Sequence, residues 1–242
     1  MNIAVIFAGG VGKRMHSKEK PKQFLEMHGK AIIIHTLEVF EHSSEIDAIV
    51  IACVKEWIPY LQKLIDISNI KKVVTIVPGG ETGQLSIYNG LCAAEKIAGT
   101  EKSIVLIHDG VRPLITTQVI HDNINSVKLH GSAITCVTVT ETVMIVKADN
   151  EIDYIPNRAN SRLARAPQSF WLDDVLRAQR TALNEGMNSF IDTCSLMQHY
   201  GFKMYLIDGP RENIKITTPE DFYIMRAMLD ARENEQIYSL DE

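Results

Sequence analysis

The chain has 242 residues, of which 45% are hydrophobic and 23% charged, with a formal net charge of -5. That length holds a full core in one large domain, or one domain with an appended arm, and the acidic balance argues against a nucleic-acid partner, which asks for a basic face. No run approaches the roughly 20 apolar residues of a membrane span, and the apolar N-terminus lacks the cationic flank and cleavage site of a secretory signal. Four widely spaced cysteines, Cys53, Cys92, Cys136 and Cys194, form no C-x-x-C pair and no metal-ligand pattern with histidine. Reduced thiols in a soluble, cytoplasmic protein are expected.

The first element is an apolar run, Ile3 to Phe7, that empties into Ala8-Gly9-Gly10-Val11-Gly12-Lys13-Arg14, with Lys22 following. Glycines let backbone N–H groups approach an anion, and the cations that follow would neutralise it. A Walker A loop would need glycine where Phe7 sits, and a dinucleotide fingerprint would need it where Met15 sits. The loop is therefore a phosphate cradle of another kind, or a tight strand-to-helix turn with solvated lysines.

Further strand-like runs fall at Ala48 to Cys53, Val73 to Val77, Ser103 to Ile107 and Ala133 to Val139. Helix-like stretches at Ile32 to Phe40, Trp57 to Ile67, Leu85 to Ala98 and Gln118 to Leu129 separate them. This alternation predicts a mostly parallel sheet covered by helices on both faces, with ligands beyond the carboxyl ends of the strands. From Glu141 to Arg165 the pattern changes to two short strands, Thr142 to Val146 and Ile152 to Ile155, around a polar turn. Such a hairpin has little core of its own and is expected to pack on a partner subunit. Helices then follow at about Leu172 to Asn184 and Asp192 to Tyr200, a strand at Lys203 to Ile207, and a last helix from Pro219 to about Glu233 with Thr218 as N-cap. The tail from Tyr238 to Glu242 is expected to fray.

Four later segments carry chemistry. In His108-Asp109-Gly110-Val111-Arg112, Asp109 could hold a divalent cation and Arg112 a phosphate, with His108 as an ordinary core residue. The spacing favours a shared site over an ion pair between the two. Gly79-Gly80-Glu81 with Ser86 could read the edge of a base, or form a plain capped turn. Lys215, in what reads as an alternating apolar strand, must face an anion or surface on an edge. Arg158, Arg162 and Arg165 follow the hairpin, and each is a candidate anion ligand or part of a charged face.

Together these segments resemble the cytidylyltransferases that activate alcohol phosphates, namely the methylerythritol phosphate and ribitol phosphate enzymes. The shared words are A-G-G-x-G-x-R-M at 8 to 15, P-K-Q-F at 21 to 24, K-x-I at 30 to 32, H-T-L-E at 35 to 38 and G-G-E at 79 to 81. To these add H-D-x-x-R-P at 108 to 113, P-Q-x-F at 167 to 170 and N-I-K-I-T-T-P-E-D at 213 to 221.

The resemblance implies an α/β fold, a Rossmann-like nucleotidyltransferase (GT-A-like) α/β/α sandwich in one domain, with a projecting β-hairpin arm at about 141 to 165 that makes a homodimer. It implies Mg²⁺, with Asp109 at the metal and ribose. Ala8, Gly9, Gly10, Gly12, Lys13, Gly80, Glu81 and Ser86 would bind the nucleotide, and Arg14, Lys22 and Lys215 would carry catalysis at the phosphates. Arg112, Thr142 and Arg158 would bind the acceptor, Arg158 from the partner subunit.

The methylerythritol type usually has D-T-x-K in the hairpin and T-P-Q after it. This chain has Met144 in place of the lysine and Ala166 in place of that threonine, and Gly83 where both branches commonly place arginine. V-K-E-W at 54 to 57 looks closer to the ribitol branch. The expected reaction is therefore CMP transfer from CTP to ribitol 5-phosphate, for teichoic acid or capsule synthesis. Methylerythritol 4-phosphate and isoprenoid synthesis are the alternative. A sugar-phosphate enzyme using another nucleotide and a non-catalytic nucleotide-binding module are the remaining ones.

Overall fold

The computed structural model describes residues 1–9 and 20–238. Its centre is a seven-stranded sheet, and a short hairpin of β2 (Glu26–Met27) and β3 (Lys30–Ala31) forms a separate pair. The apolar runs β1 (Asn2–Ala8), β4 (Ala48–Cys53), β5 (Val73–Pro78) and β6 (Ile104–Asp109) lie parallel, with β1 between β4 and β6. Beyond β6 come β10 (Arg162–Trp171), β7 (Ser132–Thr138) and β11 (Leu206–Asp208), of which β10 alone runs antiparallel to its neighbours. The register sets Phe7 beside Asp109 and Ala8 beside Cys53, so the strands end at one edge.

Alternate residues of each strand feed two cores. Ala4, Ile6, Ile49, Ile51 and Leu106 pack under α1 (Ile32–His42), α2 (Ile58–Ile67) and α4 (Thr117–His130). Ile3, Val5, Val50, Val105 and Ile107 pack under α3 (Gly83–Ala98), α5 (Leu172–Asn184) and α6 (Thr193–His199). Period-two side chains on a sheet buried on both faces produce this split, and the helices cover both faces as expected. A third, smaller cluster gathers Met27, Ile32, Val111, Leu114, Ile216 and Met225 under α7 (Pro219–Tyr238). The Asp221 carboxylate accepts from the N–H groups of Thr217 and Thr218 at 2.8 Å and so fixes the entry to that helix. No helix among the described residues is long and apolar enough to cross a membrane.

Four expectations change. Residues 213–217 form no strand: they are an extended strap, bonded to the sheet edge through Ile216 N–H to the Val111 carbonyl at 3.0 Å. The arm is thinner than predicted, with pairing confined to β8 (Ile145–Val146) and β9 (Ile152–Tyr154). The strand expected at Lys203 to Ile207 begins only at Leu206. β10 is an element the sequence reading did not assign, and its register shifts between Ala164 and Gln168, where the Ala166–Pro167 bond is cis. The predicted fraying beyond Tyr238 falls outside the described residues.

Candidate active site

The carboxyl edge of the sheet opens into a cleft with two chambers. The first, of about 340 Å³, is lined by Ala8, Gly9, Lys22, Gly80, Glu81 and Ser86 among others. The second, of about 310 Å³, lies against Arg112, Arg165, Gln168, Asp192 and Thr193. Phe7, Gly83, Asp109 and Lys215 line both, so the strand tip and the strap residue stand at the junction.

The first chamber owes its shape to missing side chains. The Ser86 hydroxyl donates to the Thr82 carbonyl at 2.9 Å and accepts from Gly80 N–H at 3.0 Å. A Cβ on Gly9 would meet that same hydroxyl at 2.8 Å, and one on Gly80 would come within 2.3 Å of Leu85 Cβ and 2.9 Å of its carbonyl carbon. The two loops therefore interlock only as glycines. Thr82 caps α3 by accepting from Leu85 N–H at 3.1 Å. On the opposite side Gln23, 1% exposed, donates to the Ala8 carbonyl at 2.7 Å. Lys22 donates to the Ile216 carbonyl at 2.9 Å.

At the junction, Asp109 Oδ1 meets Lys215 Nζ at 2.5 Å and its Oδ2 accepts from Arg112 Nε at 2.7 Å. Asp109 and Arg112 thus form a buried ion pair, which corrects the reading that their spacing disfavours one. Burial by itself would raise the Asp109 carboxyl, but Lys215 and then Arg112 outweigh it and hold the group down at about 2. Arg112 Nη1 also donates to the Asn213 carbonyl at 2.8 Å, and Asn213 Nδ2 to the Ala166 carbonyl at 2.7 Å. Strap, basic loop and β10 are tied in one line. His108 is fully buried and burial pushes its imidazole down to about 4. It is therefore neutral near pH 7, and its Nε2–H reaches the Arg112 carbonyl at 3.2 Å. His108 is a core residue that props the loop, as expected.

The structure thus gathers Ala8, Gly9, Lys22, Gly80, Glu81, Ser86, Asp109, Arg112 and Lys215 around one cleft. Thr142 and Arg158 are not brought there within one chain. Thr142 is exposed on the arm, and Arg158 donates to the Thr140 carbonyl at 3.3 Å beside a separate shallow depression. Gly10, Gly12, Lys13 and Arg14 lie outside the described residues. Phe7, Thr193 and Arg165 also line the cleft; the sequence does not single out the first two, and it leaves Arg165 undecided among three arginines. Only the direction and register shift of β10 single it out. Among the described residues no three His, Cys, Asp or Glu side chains gather as a metal cluster.

A strand-edge cleft with a paired lysine and aspartate between two chambers suits two anionic groups that meet at one point. Residues 2–231 match the family model described as 2-C-methyl-D-erythritol 4-phosphate cytidylyltransferase (IspD). The chain belongs to that family and is a nucleotidyltransferase. Among similar proteins, the ribitol-5-phosphate cytidylyltransferase of Streptococcus agalactiae serotype III (strain NEM316) is 53% identical over 99% of this chain and 100% of its own. The 2-C-methyl-D-erythritol 4-phosphate cytidylyltransferase of Clostridium botulinum (strain 657 / Type Ba4) is 36% identical over 95% and 97%. In three dimensions the chain is similar to 4-diphosphocytidyl-2C-methyl-D-erythritol synthase from Anaerococcus prevotii. That match has a TM-score of 0.82 at 27% identity and covers 95% and 96% of the two chains.

Proposed function

We propose that the protein transfers CMP from CTP to D-ribitol 5-phosphate, giving CDP-ribitol and pyrophosphate. The observation that carries this reading is the pair of chambers joined at Asp109 and Lys215. One chamber has the glycine floor of a nucleotide site and the other has arginines for an anion. Between the two candidate alcohols, the 53% identity to the relative named for ribitol 5-phosphate, against 36% for the one named for methylerythritol phosphate, favours ribitol.

A phosphate oxygen of the acceptor attacks the α-phosphorus of CTP in line, the new P–O bond forms, and pyrophosphate leaves with the electrons of the bond to the α-phosphorus. The nucleophile is already an anion, so no strong base is needed; the barrier is the meeting of like charges. Lys215 and Lys22 are placed to neutralise the α-phosphate, and Arg112 stiffens Asp109 while facing the second chamber. Asp109 is ionised at neutral pH, and each of its oxygens keeps a lone pair beyond the bond it makes here. With substrate phosphates it therefore suits Mg²⁺, which takes one or two carboxylates. When bound, that ion supplies further neutralisation at the phosphates.

The arm exposes Met144, Val146, Ile152, Tyr154 and Ile155, each about half accessible. A run of exposed apolar side chains on a two-stranded ribbon supports a homodimer in which Arg158 and Thr142 reach the partner's acceptor chamber. Incubation with CTP and Mg²⁺ against ribitol 5-phosphate, methylerythritol 4-phosphate and glycerol 3-phosphate, with product mass as readout, tests the reaction. CDP-ribitol is expected; preference for either other acceptor, or pyrophosphate release only with another nucleotide, refutes it.

A further inference from the structure

Two buried polar atoms of the second chamber find no hydrogen-bond partner among the described residues: Arg165 Nε and Thr193 Oγ1. The carboxylates nearby are engaged. Asp109 is taken by Arg112 and Lys215, and Asp192 accepts from Ser195 N–H at 2.8 Å and from Gln168 Nε2 at 3.1 Å. Arg165 is instead disfavoured as a cation, first by burial and then by the charge of Arg112. A buried donor left unpaired is destabilising, and more so when charged. A guanidinium held against both burial and a like charge is complementary to an anion that the protein does not itself supply. The backbone explains its place: the β10 register shift between Ala164 and Gln168 breaks the ladder at Arg165 and leaves its side chain at the chamber wall. Thr193, 2% exposed, lines the same chamber. Its hydroxyl, buried and unsatisfied, suits a neutral hydroxyl group better than a charged one.

We infer that Arg165 and Thr193 form a polyol-phosphate subsite within a single chain, Arg165 gripping the acceptor phosphate beside Arg112 and Thr193 bonding a chain hydroxyl. This subsite rests on the proposed transfer to a polyol phosphate. It makes acceptor choice a property of β10 and the start of α6, in addition to anything the arm contributes.

The test compares wild type, Arg165→Gln, Arg165→Lys and Thr193→Val. With CTP saturating, Arg165→Gln raises KM for ribitol 5-phosphate by about 30-fold, as expected for a lost charge-assisted bond, and leaves KM for CTP within about 3-fold. Arg165→Lys recovers part of the loss, and Thr193→Val raises the acceptor KM about 5-fold. The ligand-free melting temperature of Arg165→Gln equals or exceeds that of wild type, because an unpaired cation is removed. Binding of inorganic phosphate to the ligand-free proteins, followed by ³¹P NMR, gives a readout independent of turnover. Weaker phosphate binding in Arg165→Gln, with no turnover of ribitol 5-phosphate by wild type, would sink the proposed acceptor and keep the anion subsite. Normal turnover with unchanged acceptor KM and unchanged phosphate binding would sink the subsite and keep the acceptor. Unchanged phosphate binding in an enzyme inactive on ribitol 5-phosphate overturns both.

Discussion

The two chambers are built on opposite terms. In the proposed nucleotide chamber the polar groups bond to one another: Ser86 to Gly80 and Thr82, Thr82 to Leu85, Gln23 to Ala8. In the proposed acceptor chamber Arg165 Nε and Thr193 Oγ1 have no partner among the described residues. The first is a finished socket whose shape comes from interlocked loops. The second leaves two buried polar atoms unpaired among the described residues, which is the feature the proposed subsite rests on. Rigidity and recognition are thus divided between halves that meet at Asp109.

The largest expected effect tests the meeting point. Lys215→Ala should lower kcat by about 10²–10³, the usual loss for an electrostatic stabiliser, and a change of only a few fold would refute the junction as the site of transfer. The same variant raises the Asp109 carboxyl. In wild type, a carboxylate depressed to about 2 adds stability that is full above its unfolded value of about 3.9 and is lost as pH falls through the folded value. Melting temperature measured against pH should show a smaller acid loss in Lys215→Ala, because the gap between the folded and unfolded values of Asp109 narrows.

The next effect tests whether the nucleotide chamber is rigid. Gly80→Ala drives a Cβ into Leu85 and its backbone, so a stability loss of about 1–3 kcal/mol with CTP binding weakened more than about tenfold is expected. Calorimetric titration with CTP reads the affinity and denaturant unfolding the stability; near-normal affinity would mean that the loops give way. Ser86→Ala should be milder, about 1 kcal/mol in denaturant unfolding, since Gly80 N–H loses its acceptor but keeps access to water at the chamber surface. His108→Gln probes the prop under Arg112. The depressed imidazole adds stability above its unfolded value of about 6.5 that drains away as pH falls toward about 4. The variant should flatten the stability profile across that window.

The smallest change belongs to the place where the chambers join. A Cβ at Gly83 meets nothing within 4 Å. Gly83→Ala, at the first turn of α3, should leave stability unchanged or raised by less than about 1 kcal/mol and alter neither KM by more than about 3-fold. A large rise in one KM would show that the passage between chambers is tighter than its walls suggest.

The sequence made the nucleotide half legible for a physical reason. Strands buried on both faces must be apolar throughout, so Ala48–Cys53 and Ile104–Asp109 announce themselves, and parallel topology then assigns chemistry to the loops at their ends. Gly80, Ser86 and Asp109 are assigned to the cleft in that way; Lys215 stands out instead as a lysine among alternating apolar residues, although it lines the cleft from a strap and not from a strand. The acceptor half was not legible. Residues Arg162 to Ala164 are exposed, Arg165 is half-buried and Ala166 to Phe170 are buried, and Pro167 interrupts the segment, so β10 shows neither alternation nor an apolar run. Without that strand nothing distinguishes Arg165 from Arg158 and Arg162. The Asp109–Arg112 ion pair was likewise hidden, because the spacing reads as favouring a shared ligand site, whereas a turn of three residues brings the two side chains into direct contact.

The reversed direction of β10 has a consequence for the path of the chain. Because it runs against its neighbours, it enters the sheet at the edge where the parallel strands finish, with Arg162 opposite Thr138 and Trp171 opposite Ile104. The chain coming off the arm therefore passes the acceptor wall before it is anchored in the core. The arm is continuous with the chamber wall through one covalent strand, and from Ala166 two hydrogen bonds lead through Asn213 to Arg112. The chain thus reaches its first buried residue, Ala166, at the point where the strap and the basic loop are tied to it.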